Sequence, residues 1–368
     1  MRRTCLPQIV GLLSGVLLAA AIADFTRQPN RAAPADAILS ECDGTIRQIA
    51  IQYVGGMDFV RPTYRAFFAA LPAEVKIVLI CPGPADRDEL LSAIGKPASR
   101  FTAVFTSHAM TTWSRDRWIT LTPATQGDPI PLIAPREEAG ADAWPERQGD
   151  ERLAGNLAAN LPGITARRSR LAFDGGDFLA NGSTVFVSPA VLERNLYLGA
   201  ESEKELLDEL NLMLGRKKIV LLRNAPPHHI GMYMAIVGEG QAIVGDPSLG
   251  RPLFTASSLI TPDELPATQK QFDDVAEQVR AAGYRVQRIP TVVAADGKTY
   301  LTFVNGLIDQ RAGRRTFYLP TYRGQDALNA AAAEVWKNAG CIVQPVDCSN
   351  AFPHFGTLHC LVNVLNRS

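Results

Sequence analysis

The 368-residue chain lacks an excess of either charge: Lys plus Arg and Asp plus Glu each number 37, so no global field draws it toward nucleic acid or another acidic polymer. It lacks a compact Cys/His ligand set, so its sequence calls for no metal and no cofactor. No heptad or long exposed amphipathic helix demands self-association. After residue 24 the Leu and Val runs are broken by charge, Gly or Pro, and no later membrane span is expected. What remains, 46% hydrophobic and 20% charged, is the composition of an ordinary globular protein with length for one large domain or two.

The N-terminus departs from this neutral picture. Arg2 and Arg3 precede an uncharged apolar run over 9–23, and Ala21-Ile22-Ala23 supplies a small-x-small cleavage site. Residues 1–23 therefore read as a signal peptide, with export to the periplasm or the extracellular space; the alternative is an uncleaved N-terminal anchor. Residues 24–42 read as a linker and 43–368 as a single catalytic-type domain. Export permits disulfides, and removal of Cys5 leaves five cysteines. Pairing Cys341 with Cys348 and Cys42 with Cys81 would leave Cys360 free; the alternative is five reduced, mostly buried thiols.

Along the chain, residues 63–70 read as a helix and 75–80 as a buried strand, with another strand beginning at Val104. Residues 121–150, rich in Pro, Gly and charge, read as a long surface excursion. The Glu- and Leu-rich segment 201–214 is a helix with Gly215 as its stop, and 219–222 is a buried strand. Strands follow at 183–187, 232–237, 241–244, 284–289, 299–304 and 316–319, with helices over 263–282 and 326–339. The alternation implies an α/β or α+β protein, and pattern alone does not separate an open sheet from a ring of small sheets.

Chemistry-bearing residues fall in four polar clusters: Trp113-Ser114-Arg115-Asp116, Asp174-Gly175-Gly176-Asp177, His228-His229, and Phe355-Gly356-Thr357-Leu358-His359-Cys360. A cysteine attacks carbon electrophiles when a histidine and carboxylates are brought to it. Neighbouring side chains on a strand face opposite ways, so His359 is not the obvious base and a histidine from elsewhere, His229, is the candidate. Carboxylates grouped with an aromatic suit a planar cation, because guanidinium is a rigid fork of five donors. Taken singly, Asp116 reads as a surface ion pair with Arg115 or Arg117, and Asp174 as an ordinary Asp-Gly turn.

As an ensemble, Trp-x-Arg-Asp at 113–116, Asp-Gly-Gly-Asp at 174–177, His229-Ile-Gly-Met and the terminal Gly-x-x-His-Cys resemble the guanidino-group modifying superfamily. The likeness is greatest to bacterial agmatine deiminase-like and peptidylarginine deiminase-like proteins. It implies a pentein fold, a five-fold pseudosymmetric α/β propeller built from ββαβ modules. It further implies Cys360 as nucleophile, His229 as general acid and base, and Asp116 and Asp174 as carboxylates on a guanidinium. Trp113, Arg115, Asp177 and Gly231 are its implied substrate-binding positions. The implied substrate is a small guanidino compound or a peptide arginine side chain, with no nucleic acid and no stable membrane association after signal cleavage.

Two positions depart from the pattern. Relatives commonly carry His-x-Asp where this chain has His229-Ile230-Gly231, and glycine offers neither charge nor acceptor. Asp174 stands where many relatives use glutamate, withdrawing its carboxylate by one methylene. Gly231 leaves room for a substituent on the guanidine nitrogen. Three readings follow: a hydrolase of guanidine or amidine C–N bonds, a weak or inactive relative that binds a guanidino ligand or protein, and another Cys-His-Asp enzyme such as an amidinotransferase.

Overall fold

The computed structural model describes residues 37–125, 127–137, 145–199, 202–215 and 217–368. The expected signal peptide and most of the linker lie outside the described residues. Residues 37–42, read as the end of that linker, are instead built into the fold: Ala37–Ile38 pairs with Ile119–Thr122, and the Glu41 amide donates to the Ala180 carbonyl at 2.8 Å. No described helix is long and apolar enough to cross a membrane.

The α/β character is present, but the expected five-fold propeller is corrected by the strand pairing. The described strands form six open sheets of unequal size, and none of these closes into a barrel or propeller. One four-stranded sheet runs Asn363–Arg367, Ile46–Gln52, Lys76–Cys81, Phe101–Phe105, with the C-terminal strand antiparallel to its neighbour and the other pairs parallel. A second joins Ala37–Ile38, Ile119–Thr122, Ile130–Ala134 and Ile164–Arg168. Three-stranded sheets are built on Thr184–Val187, Gln241–Asp246 and Arg314–Thr321, and Val292–Val293 pairs with Tyr300–Leu301 alone. Segment 121–150 is therefore no bare excursion: it supplies the strand Ile130–Ala134 and the helix Pro145–Asp150.

Helix ends follow local chemistry. Proline opens Pro84–Ile94, Pro189–Tyr197 and Pro266–Ala281, where its missing N–H costs no helical hydrogen bond. Ser202 caps Glu203–Met213 by accepting from the Glu205 amide, and Gly95 ends Pro84–Ile94 in the left-handed conformation, φ 63°. Pro266–Ala281 buries Phe272, Val275, Ala276 and Val279, an i, i+3, i+4, i+7 face packed on Gln241–Asp246. Each fully buried Phe or Val on such a face stabilises by roughly 1.5–3 kcal/mol.

All five described cysteines are free, buried thiols. Cys341 begins the extended strand Cys341–Asp347 and Cys348 follows its end, a separation on the order of 23 Å at strand rise. Disulfide geometry tolerates about 7 Å between Cα atoms, so the expected Cys341–Cys348 bridge is excluded. Cys42 and Cys81 are likewise unpaired; the Cys81 thiol donates to the Gly83 carbonyl at 3.5 Å.

Candidate active site

The four polar clusters occupy irregular turns, each just ahead of a strand. Residues 113–117 lead into Ile119–Thr122, and Asp174–Asp177 leads into Phe178–Ala180. His229 caps the turn Ile230–Met232 before Met234–Gly238, and Cys360 sits in the short helix Leu358–Leu361 before Asn363–Arg367. Backbone hydrogen bonds clip these turns together: the Arg115 amide donates to the Cys360 carbonyl at 3.2 Å, and Gly175 to the Asp116 carbonyl at 2.7 Å. A fifth turn, not singled out in the sequence, joins them where the His359 amide donates to the Asn305 carbonyl at 3.0 Å.

Glycines make the approach close enough. A Cβ on Gly176 would lie 2.6 Å from Cγ and Nδ1 of His229, and one on Gly356 would lie 2.6 Å from the Trp113 ring and 3.1 Å from Cys360 Cβ. His229 thus packs on bare backbone and Trp113 walls the thiol.

His229 stands between two carboxylates. Its Nε2 is 3.4 Å from Asp174 Oδ2 and its Nδ1 is 3.9 Å from Asp116 Oδ1. Burial alone would lower its pKa, but hydrogen bonds with Asp174 and Cys360, and the charges of Asp116 and Asp174, overcome it and hold the ring well above the ordinary histidine range. Burial pushes the Asp116 carboxyl up to about 6 with help from the Asp174 charge, against the pull of His229. His228 is driven the other way, down to about 3, by burial and by its charged neighbour; its neutral Nδ1 accepts the His229 amide at 2.7 Å.

Asp174 is already committed. Its Oδ1 accepts from Arg117 and Arg147, each at 2.8 Å, and its Oδ2 accepts from Arg194 at 3.2 Å. Burial opposes ionisation, yet the His229 hydrogen bond and the Arg147 and Arg194 guanidiniums hold it well below the carboxylate range. Asp177 accepts from Arg194 at 2.6 Å and from the Asp174 amide at 2.7 Å, closing a capping box. Arg115 turns away from the cysteine to pair with Glu41 and the Phe178 carbonyl. His359 also turns away, its Nε2 lying 3.2 Å from Glu41 Oε2.

Cys360, His229 and Asp116 are therefore brought together with Trp113, while Asp174, Asp177 and Arg115 are bound up in ion pairs. Glu41, Arg147, Glu151, Arg194 and Asn305 were not legible as site residues. No spacing marks them, because they reach the site from segments outside the motifs, Arg147 and Glu151 from the helix Pro145–Asp150 and the turn that follows it. A cleft of about 410 Å³ opens over Asp174, His228 and His229, rimmed by Arg194, Lys298 and Phe355. No group of His, Cys, Asp and Glu that could hold a metal occurs among the described residues.

No family model and no curated protein matches this chain. Solved structures do. The C. jejuni agmatine deiminase superposes with a TM-score of 0.69 at 14% identity, covering 92% of this chain and 99% of that one. The substrate-bound C. jejuni enzyme gives 0.67 at 15%, covering 90% and 96%. The agmatine deiminase of Enterococcus faecalis gives 0.68 at 12%, covering 93% and 100%. The resemblance seen in the motifs is met at the level of the fold, over nearly the whole length of these chains.

Proposed function

We propose that this protein hydrolyses a C–N bond of a guanidine or amidine through a covalent Cys360 intermediate. The observation that carries the reading is the convergence of Cys360, His229 and Asp116 from three distant segments, with His229 held cationic between carboxylates. The agmatine deiminases with the same fold add to it.

In this reading the Cys360 sulfur, as thiolate, adds to the central guanidinium carbon while Asp116 accepts N–H bonds from the cation. His229 gives its proton to the departing nitrogen, and collapse leaves a thiouronium. Water then attacks, His229 takes its proton, and the carbon–sulfur bond breaks to release a ureido product and the thiol. Trp113 excludes water from one side of the sulfur.

Labelling tests the anionic pocket. A haloacetamidine is expected to alkylate Cys360 at least about tenfold faster than the matched neutral haloacetamide, and Asp116→Ala to remove that preference. Equal labelling by both reagents would leave an exposed thiol without a cation site. The pH dependence has a defined sign: Asp116 must be ionised to hold the cation, so kcat/KM is expected to fall about tenfold per unit below pH of about 6. Asp116→Asn should flatten that limb, and a limb that survives it would assign the titration to another group.

One observation favours a second reading, a binder with little or no turnover: Asp174 is saturated by three arginines and Gly231 carries no carboxylate. Screening free, peptidyl and N-substituted guanidines by mass spectrometry separates the two, since binding without any ureido product would favour it.

A further inference from the structure

The space beside Gly231 is bordered by two specific nitrogens. A Cβ at that position would lie 3.0 Å from His359 Nδ1 and 3.3 Å from Asn305 Nδ2. Asn305 is fully buried; its Oδ1 accepts from the Thr357 hydroxyl at 2.7 Å and from the Cys360 thiol at 3.4 Å. With the amide in this orientation Nδ2 is turned toward Gly231, where it has no partner among the described residues. A buried donor without an acceptor is costly, and in a native fold it calls for an unseen partner.

His359 supplies the complementary group. The Glu41 carboxyl is held down to about 2: burial opposes this, but Arg115 and His359 outweigh it. As a carboxylate it accepts the His359 Nε2–H, which leaves the lone pair on Nδ1. Burial keeps that imidazole neutral, lowering its pKa. The slot therefore presents one donor and one acceptor. A cavity of about 20 Å³, lined by Gly231, Glu41 and His359 with Val304 and Gly306 but not by Asn305 itself, adjoins this position and has room for one water-sized group.

We propose that this slot is a substrate subsite that takes the hydroxyl of an N-hydroxyguanidine or N-hydroxyamidine, accepting from Asn305 Nδ2 and donating to His359 Nδ1. An unsubstituted guanidinium nitrogen only donates and sets its N–H against that of Asn305. A carbonyl oxygen only accepts and sets its lone pair against that of His359, and a methyl group does neither. The Asn305 amide touches both the thiol and the slot, so the hydroxyl belongs on a nitrogen bonded to the carbon that Cys360 attacks. The inference rests on the hydrolase reading for that carbon, and on the slot alone for the hydroxyl.

The test uses the full chain with the N-hydroxy, N-methyl and unsubstituted forms of one alkylguanidine and of one alkylamidine. Turnover is followed by mass spectrometry of the ureido or amide product, and binding by calorimetry on Cys360→Ser. The N-hydroxy form is expected to exceed both others about tenfold in kcat/KM and in affinity. Gly231→Ala, which puts a methyl into the slot, and Asn305→Ala, which removes the donor, are each expected to erase the ratio between the N-hydroxy and N-methyl forms.

Equal handling of N-hydroxy and N-methyl forms would make the slot mere space, and preference for the unsubstituted form would make it a water site; either overturns the subsite. Preferential N-hydroxy binding without turnover of any form overturns the hydrolase reading and keeps the subsite. Turnover without preference does the reverse, and no binding at all overturns both.

Discussion

Serine in place of Cys360 is expected to reduce kcat by at least about 10³-fold while leaving the fold intact. The alcohol is nearly the size of the thiol and can donate to the same Asn305 oxygen, so the short helix Leu358–Leu361 keeps its partners. What is lost is the nucleophile: a hydroxyl is far harder to ionise than a thiol, and His229, cationic between Asp174 and Asp116, is a poor base for it. Acid-quenched wild-type protein should carry a thiouronium mass on Cys360, absent from the variant. Retention of more than a tenth of the wild-type rate with an unchanged melting temperature would remove Cys360 from the chemistry.

Arg117→Leu should have the largest effect on stability, about 3–5 kcal/mol, or a fall in Tm of roughly 4–7 °C for a body of this size. Arg117 is almost wholly buried, paired with Glu151, itself buried, and donating to Asp174 at 2.8 Å. Leucine replaces the volume but takes a cation from buried Glu151 and one of three from Asp174, which lowers the compensation for burying both carboxylates. Differential scanning calorimetry decides it, and a shift below about 1 °C would show that the remaining arginines carry the network. The same substitution loosens Asp174, so any gain in affinity for cationic ligands would identify Arg117 as a competitor for the substrate's place.

The two effects differ in how readable their origins were. Cys360, His229 and Asp116 stand in compact motifs, and a motif is a local signal that survives without a structure. Gly176 and Gly356 stand inside those motifs, but the close approach of the His229 and Trp113 rings to them was not legible. The helices expected over 63–70, 201–214, 263–282 and 326–339 are met at 61–70, 203–213, 266–281 and 326–338, and for the second Gly215 marked the stop. The strand Leu307–Arg311 and the helices Pro84–Ile94 and Leu153–Asn160 did not, because short or polar elements owe their form to what they pack on. The propeller and the disulfides failed for a related reason: both are statements about pairing across the chain, which spacing does not encode.

By itself the sequence determined the inventory of reactive groups, the α/β alternation and the loss of a carboxylate at Gly231. Only the tertiary structure decided their allegiances. It gave Asp174 to three arginines, turned His359 toward Glu41, and left a lone Asn305 N–H facing the place where residue 231 has no side chain. The physical reason is that a charge or a hydrogen-bonding group acts on whatever lies within a few ångströms of it, and in this chain those neighbours come from loops tens to hundreds of residues apart.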